Sequence, residues 1–150
     1  MVPNYYITTP IYYVNDVPHI GHAYTTLACD VMARFKRLDG FDVFFLTGTD
    51  EHGQKVELAA KSKGVMPKAF VEDVSKNFQN LLECMNFSND DFIRTTEKRH
   101  LDSCKKIWNT LLENGSIYLD KYSGWYSVRD EAFYSESEII DGKAPSGSPV

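Results

Sequence analysis

The sequence predicts an α/β protein: the first half of a doubly wound parallel sheet, followed by a small β-rich segment. Three observations carry that reading. An apolar run rich in Tyr, Ile, Thr and Val over residues 5–14 leads through a polar turn into a long helical pattern. A second apolar run, Val43-Phe44-Phe45-Leu46-Thr47, follows that helix, and strand, helix, strand in this order makes a right-handed parallel crossover. Beyond residue 115 short stretches alternate aromatics with polar residues, as small antiparallel strands do.

Taken in order, the run at 5–14 reads as a strand near the middle of a sheet, stopped by the turn Asn15-Asp16-Val17-Pro18. Helix follows from about residue 21 to 38, with Ala23, Leu27, Val31 and Leu38 at helical spacing, Ala28 and Phe35 widening the stripe, and Asp39-Gly40 ending it. The second strand is continuously apolar, which predicts cover on both faces. Gly48-Thr49-Asp50-Glu51-His52-Gly53 then reads as a polar loop at its carboxyl end.

A short helix is expected over about 54–63, closed by Gly64, and Pro67 opens a longer one. Phe70, Val71, Val74, Phe78, Leu81, Leu82 and Met85 form its packing stripe. Residues 92–95 read as a strand, and a helix from about 97 carries Leu101, Cys104, Ile107, Trp108, Leu111 and Leu112 up to Gly115. Residues 117–128 and 132–134 read as strands, and 141–150 as turn and loop. The character thus changes at about residue 115, and because the part before it makes only half of a doubly wound nucleotide-binding sheet, the chain is expected to be a piece of a larger protein.

At 150 residues, 43% hydrophobic and a net charge of −5, the chain has material for one ordinary core and no surface built mainly for nucleic acid. Neither a membrane-spanning run nor a signal peptide is legible, so a soluble, cytoplasmic protein is expected, with no membrane partner. Cys29, Cys84 and Cys104 form no C-x-x-C pair and are expected as buried reduced thiols.

His19-Ile20-Gly21-His22 sits where the first strand gives way to the helix, the place where unpaired N–H groups and the helix dipole receive anions. The two imidazoles, three residues apart, can donate to one phosphate as charge builds on it, and Gly21 lets a ligand approach the backbone. The same pair can also serve as metal ligands, as helix caps, or as exposed residues without a role. Asp50, at the carboxyl end of the second strand, faces the same crevice in this reading and is a candidate partner for a ligand cation or hydroxyl; it can also simply cap the next helix. His52 receives no role of its own. His19, His22, Asp50 and His52 together can hold a metal ion, which supports a metal-dependent hydrolase as the rival enzyme class. A non-catalytic nucleotide-binding module is the alternative outside enzymes.

The stretch Tyr5-Tyr6-Ile7-Thr8-Thr9-Pro10-Ile11-Tyr12-Tyr13-Val14-Asn15, the His-Ile-Gly-His tetrad, Leu46-Thr47-Gly48-Thr49-Asp50-Glu51-His52-Gly53 and Phe92-Ile93-Arg94-Thr95-Thr96-Glu97 closely resemble the bacterial methionyl-tRNA synthetase family, a class I family with a Rossmann-like catalytic domain. The resemblance runs to about residue 138 and implies that 1–115 is the N-terminal half of the Rossmann-like catalytic domain and 116–150 the start of a small β-rich inserted segment. It implies an ATP-dependent ligase that makes methionyl-adenylate and passes methionine to tRNA(Met), with ATP and its magnesium as substrate. By the same resemblance His19, Gly21 and His22 bind ATP, the two histidines being catalytic. Pro10, Ile11 and Tyr13 line the methionine pocket, and Asp50 receives the ammonium group; Ile11 and Tyr13 can alternatively be mere packing at the sheet edge. Many relatives bind zinc through cysteine pairs in the insertion. Here Tyr126-Ser127-Val128-Arg129-Asp130-Glu131 carries none, so no structural zinc is expected. The family's K-M-S-K-S loop is missing, and tRNA is met mainly by parts outside these residues, so the chain alone is expected to be poorly active or inactive.

Overall fold

The computed structural model describes residues 2–150 and forms two compact units, one ending at Cys104 and one from Lys105 to Val150. In the first unit, β1 (Asn4–Thr8), β2 (Tyr12–Tyr13), β3 (Asp42–Asp50) and β4 (Asp91–Arg94) make a sheet in which every pairing is parallel. Leu46 is shared by β1 and β4, and Thr49 by β2 and β4. β1 and β2 therefore follow one another along one flank of β3, and β4 takes the other. Within the sheet that these residues form, the expected first strand lies at the border.

It is also interrupted. Thr8 stands opposite Leu46 and Tyr12 opposite Thr49, so the first flank contains one residue more than β3 does over the same stretch. Pro10, which has no N–H to give to a ladder, occupies the interruption. β3 is longer than expected: Gly48, Thr49 and Asp50, read as loop, are paired strand residues. The backbone there is committed to neighbours on both flanks, which the polarity of these side chains hides.

α1 (Ile20–Leu38) covers one face of the sheet, where Ala33 packs with Val43 and Phe45. A second core joins Tyr12 and Val14 to Val56 and Ala60 of α2 (Gln54–Ser62) and to Phe70, Val71, Val74 and Phe78 of α3 (Pro67–Cys84). Along β3, Val43, Phe45, Thr47 and Thr49 are buried, while Asp42 and Phe44 are exposed. Cover on both faces therefore fails at the amino end of β3, at Asp42 and Phe44, while farther along the same face Leu46 is half-buried and Gly48 buried. The opposite face presents Tyr6 and Phe44, whose rings stack at 6.1 Å, and both remain exposed.

α1 corrects a further expectation. Its buried residues are Thr26, Asp30 and Ala33, whereas Tyr24, Leu27, Val31, Phe35 and Leu38 are exposed. The inner face is polar because it is anchored by hydrogen bonds. Asp30 accepts from the backbone N–H and the hydroxyl of Ser88, both at 2.6 Å, and from Arg34 Nε at 2.7 Å. Arg37 donates to Asp90, whose carboxylate also caps the Phe45 N–H at 2.6 Å.

α4 (Lys98–Glu113) begins in the first unit and ends in the second, where β5 (Trp125–Ser127) and β6 (Ala132–Tyr134) form an antiparallel pair. Only residues 125–127 of the expected strand at 117–128 are extended and paired. The cysteines are free, but Cys84 and Cys104 are exposed rather than buried.

Candidate active site

β2 hands the chain to α1 through a turn in which Asp16 accepts the Val17 N–H at 2.7 Å. His19 is the N-cap of α1, with extended backbone, and its Nδ1 accepts the Gly21 N–H at 3.1 Å. His22, three residues on, returns the contact: its Nδ1 accepts the His19 N–H at 3.0 Å. This is a capping box built from two imidazoles where Ser or Thr and Glu usually serve. The rings stack with centroids 3.9 Å apart.

The cap has a chemical consequence. A nitrogen that accepts a backbone N–H cannot itself carry the proton, so the hydrogen-bond pattern assigns the neutral form of both rings to the Nε2–H tautomer. Each ring then turns one N–H donor away from the helix backbone, at a helix start with no acidic residue in its first turn. Burial, and next the neighbouring His19, hold the His22 imidazole below the ordinary histidine range. Gly21 belongs to the same device. A Cβ there would lie 2.9 Å from His19 Cε1, so the glycine is needed by the cap before any ligand arrives.

The ring of His22 is held edge-on by Tyr12, at 4.8 Å, and by Phe78 of α3, at 5.1 Å. Tyr12 hydroxyl bonds Thr26 at 2.7 Å, and both hydroxyls reach the His22 carbonyl. Neither Tyr12 nor Phe78 is legible as a site residue from sequence, since an aromatic in a strand or an apolar helix stripe reads as core. Tyr13 and Asp50 are register partners and so share a face, the opposite one from Tyr12 and Thr49. The acidic group and the imidazoles thus occupy the same carboxyl edge of the sheet but different faces of its strands. Pro10 and Ile11 are exposed in the interruption beside them.

The four residues of the metal reading do not gather. His52 Nε2 lies 3.4 Å from the Thr95 carbonyl, at the end of β4, while His19 and His22 spend Nδ1 on their own helix. Among the described residues no three His, Cys, Asp or Glu side chains form a metal-binding group.

Beside His52 lies a feature that sequence reading missed. Glu51, with a side chain 0% exposed, accepts from Arg94 Nε at 2.7 Å and Nη2 at 3.1 Å, from Thr49 hydroxyl at 2.8 Å and from Thr96 hydroxyl. Burial alone would raise its carboxyl; the hydrogen bonds from Arg94, Thr96 and Thr49 outweigh that and hold it below the ordinary glutamate value. A cavity of about 500 Å³ opens next to this pair, between its Arg94 and Thr96 and the first turn of α3. The available signal was a charge of each sign at the ends of two adjacent strands.

The family model for tRNA synthetases class I (M) matches residues 5–148. The chain belongs to this class I tRNA synthetase family. The methionine–tRNA ligase of Rickettsia felis is 64% identical over 151 aligned residues, covering 100% of this chain and 30% of its own length. That of Mesorhizobium japonicum is 56% identical, with 97% of this chain and 29% of its own length covered. Among solved structures, Mycobacterium tuberculosis methionyl-tRNA synthetase in complex with methionyl-adenylate superposes with a TM-score of 0.89 at 52% identity, over 99% of this chain and 30% of that one. A LeuRS–tRNA–LeuAMS ternary complex from Agrobacterium radiobacter K84, 23% identical over 99% of this chain and 20% of its own, shares the fold with a TM-score of 0.79. The chain therefore spans about 30% of the length of the methionine–tRNA ligases it matches.

In this class I synthetase chain, the segment at 126–131 is built around a carboxylate. Asp130 accepts from Tyr134 hydroxyl at 3.1 Å, Ser148 hydroxyl at 3.0 Å and Ser146 hydroxyl. A carboxylate saturated by hydroxyls, without thiolates, does not fit the zinc-binding chemistry of cysteine pairs.

Proposed function

We propose that these residues supply the first part of the catalytic domain of a methionyl-tRNA synthetase acting in translation, with 1–115 as half of the nucleotide-binding domain and 116–150 as the start of the insertion. Methionine's carboxylate attacks the α-phosphate of ATP, pyrophosphate leaves, and the adenylate acylates the terminal ribose of tRNA(Met). ATP enters with magnesium as substrate. The observation that carries this reading is the imidazole capping box at the carboxyl edge of a parallel sheet, in a chain 64% identical to a methionine–tRNA ligase.

In this reading His19 and His22 present their Nε2–H groups to the ATP phosphates, with Gly21 holding the backbone close. Little covalent work is asked of the protein in such a transfer, so positioning and charge stabilisation carry the catalysis. Pro10, Ile11 and Tyr13 form one wall for the thioether side chain, and Asp50 pairs the ammonium group, which needs a carboxylate once taken from water. tRNA(Met) is engaged mainly by residues beyond these, and the 150 residues alone turn over poorly. The reaction belongs in the cytoplasm; among the described residues no helix is long and apolar enough to cross a membrane.

The test is exchange of labelled pyrophosphate into ATP by a full-length enzyme carrying these residues. Exchange that requires methionine supports the assignment. Exchange with another amino acid, or none, removes it.

A further inference from the structure

We propose that Glu51 is a positioning residue for Asp50: its buried carboxylate, gripped by Arg94 and Thr96, fixes the end of β3 so that Asp50 meets the substrate ammonium group. This rests on the role given to Asp50 above.

Three features of the molecule support it. Glu51 directly follows Asp50, and its two oxygens are filled by donors from separate segments: Thr49 of β3, Arg94 of β4 and Thr96 just beyond it. The backbone around Asp50 is held on both flanks, Val14 N–H reaching the Asp50 carbonyl at 3.3 Å and Thr95 N–H the Thr49 carbonyl at 3.3 Å. Thr95 hydroxyl accepts the Glu51 N–H at 2.9 Å, and Thr49 hydroxyl lies 3.3 Å from Ser75 in α3. The strand end is therefore tied to β2, β4 and α3 at once, while the Asp50 side chain alternates to the opposite face, half exposed.

The charge at Glu51 is the second consideration. A buried ion pair contributes little net stability compared with apolar residues of the same shape, because desolvation offsets the attraction. What a bidentate guanidinium does supply is direction: it fixes the plane of the carboxylate and, through it, the backbone that carries the neighbour. Arg94 also cancels the charge of Glu51, so that Asp50 presents a single negative charge to an incoming cation.

The proposal is tested in a full-length enzyme carrying these residues, with methionine and with 4-(methylsulfanyl)butanoate, the same acid without the ammonium group. Glu51→Gln is expected to raise the KM for methionine roughly tenfold with kcat within about twofold, and to leave the inhibition constant of the desamino acid unchanged. Thr96→Val, which removes one donor and keeps the charges, is expected to act in the same direction by roughly threefold, and decides the matter if a melting curve shows Glu51→Gln unfolded. A purely structural role would weaken both ligands together, and that result, or an unchanged methionine KM, overturns the proposal. Asp50→Asn separates the two claims. If it leaves methionine's advantage over the desamino acid intact, the role of Asp50 itself fails; if it abolishes that advantage while Glu51→Gln does not reduce it, only the positioning claim fails.

Discussion

At the scale of single residues, the histidine pair does two tasks with two different nitrogens, and substitutions can separate them. Asn places its amide oxygen near the position of Nδ1, so His19→Asn keeps the acceptor for Gly21 N–H and loses the outward donor. Pyrophosphate exchange is expected to fall roughly a hundredfold, the scale of losing a transition-state donor, with stability within about 0.5 kcal/mol. His19→Gln reverses the pattern, with the cap lost at about 1 kcal/mol and the rate less affected. Equal effects of the two variants on rate and melting would refute this division. His22 adds a pH dependence. Its folded pKa is depressed, so its contribution to stability is whole above the unfolded value of about 6.5 and is lost as pH falls through the lower folded value. A melting series is expected to show an acid-side decline below pH 6.5 that His22→Asn reduces. The histidines were legible from sequence because their spacing and glycine are unusual; the reciprocity of their contacts was not, since a side-chain oxygen is the ordinary cap and imidazole a rare one.

At the scale of elements, the sheet was legible where side chains alternate or run apolar and illegible where backbone pairing alone decides. Gly48 shows this. It reads as a loop glycine, yet it pairs with Ile93, and a Cβ would fall 2.0 Å from the Ile93 carbonyl oxygen. Gly48→Ala is expected to part β3 from β4 at about 2–3 kcal/mol in urea unfolding, the scale of an overpacked interior; a change below 0.5 kcal/mol would mean that the strands separate at no cost. Arg94→Met leaves Glu51 buried without its cation and is expected to cost about 3 kcal/mol by the same measurement. Helix α1 teaches the converse lesson. Its boundaries followed from Pro18 and Asp39-Gly40, but its orientation did not follow from its stripe. The inward positions are chosen for partners distant in sequence, Ser88 for Asp30 and Asp90 for Arg37, and a helical wheel contains no information about them.

At the scale of the whole molecule, the apolar surface left open defines how these residues behave by themselves. Tyr6 and Phe44 on the sheet and Leu27, Val31 and Phe35 on α1 stay exposed, more than a self-sufficient domain ordinarily presents. The isolated chain is expected to self-associate with rising concentration in sedimentation, and Val31→Lys with Phe35→Lys to shift it toward monomer; a monomeric wild-type chain at all concentrations would show that these faces do not attract one another. The extra residue between β1 and β2 has its own effect on evolution. Before it, odd-numbered side chains such as Tyr5 and Ile7 pack under α1; after it, Tyr12 is the residue buried in the core, while Tyr13, half-buried at the border of that core, pairs in register with Asp50. Deleting one residue there would reverse the phase, removing the aromatic wall from behind His22 and carrying Tyr12 to the side of Asp50. Insertions and deletions between Thr8 and Tyr12 should therefore be purged by selection, even though the segment lies at the surface, where length ordinarily drifts.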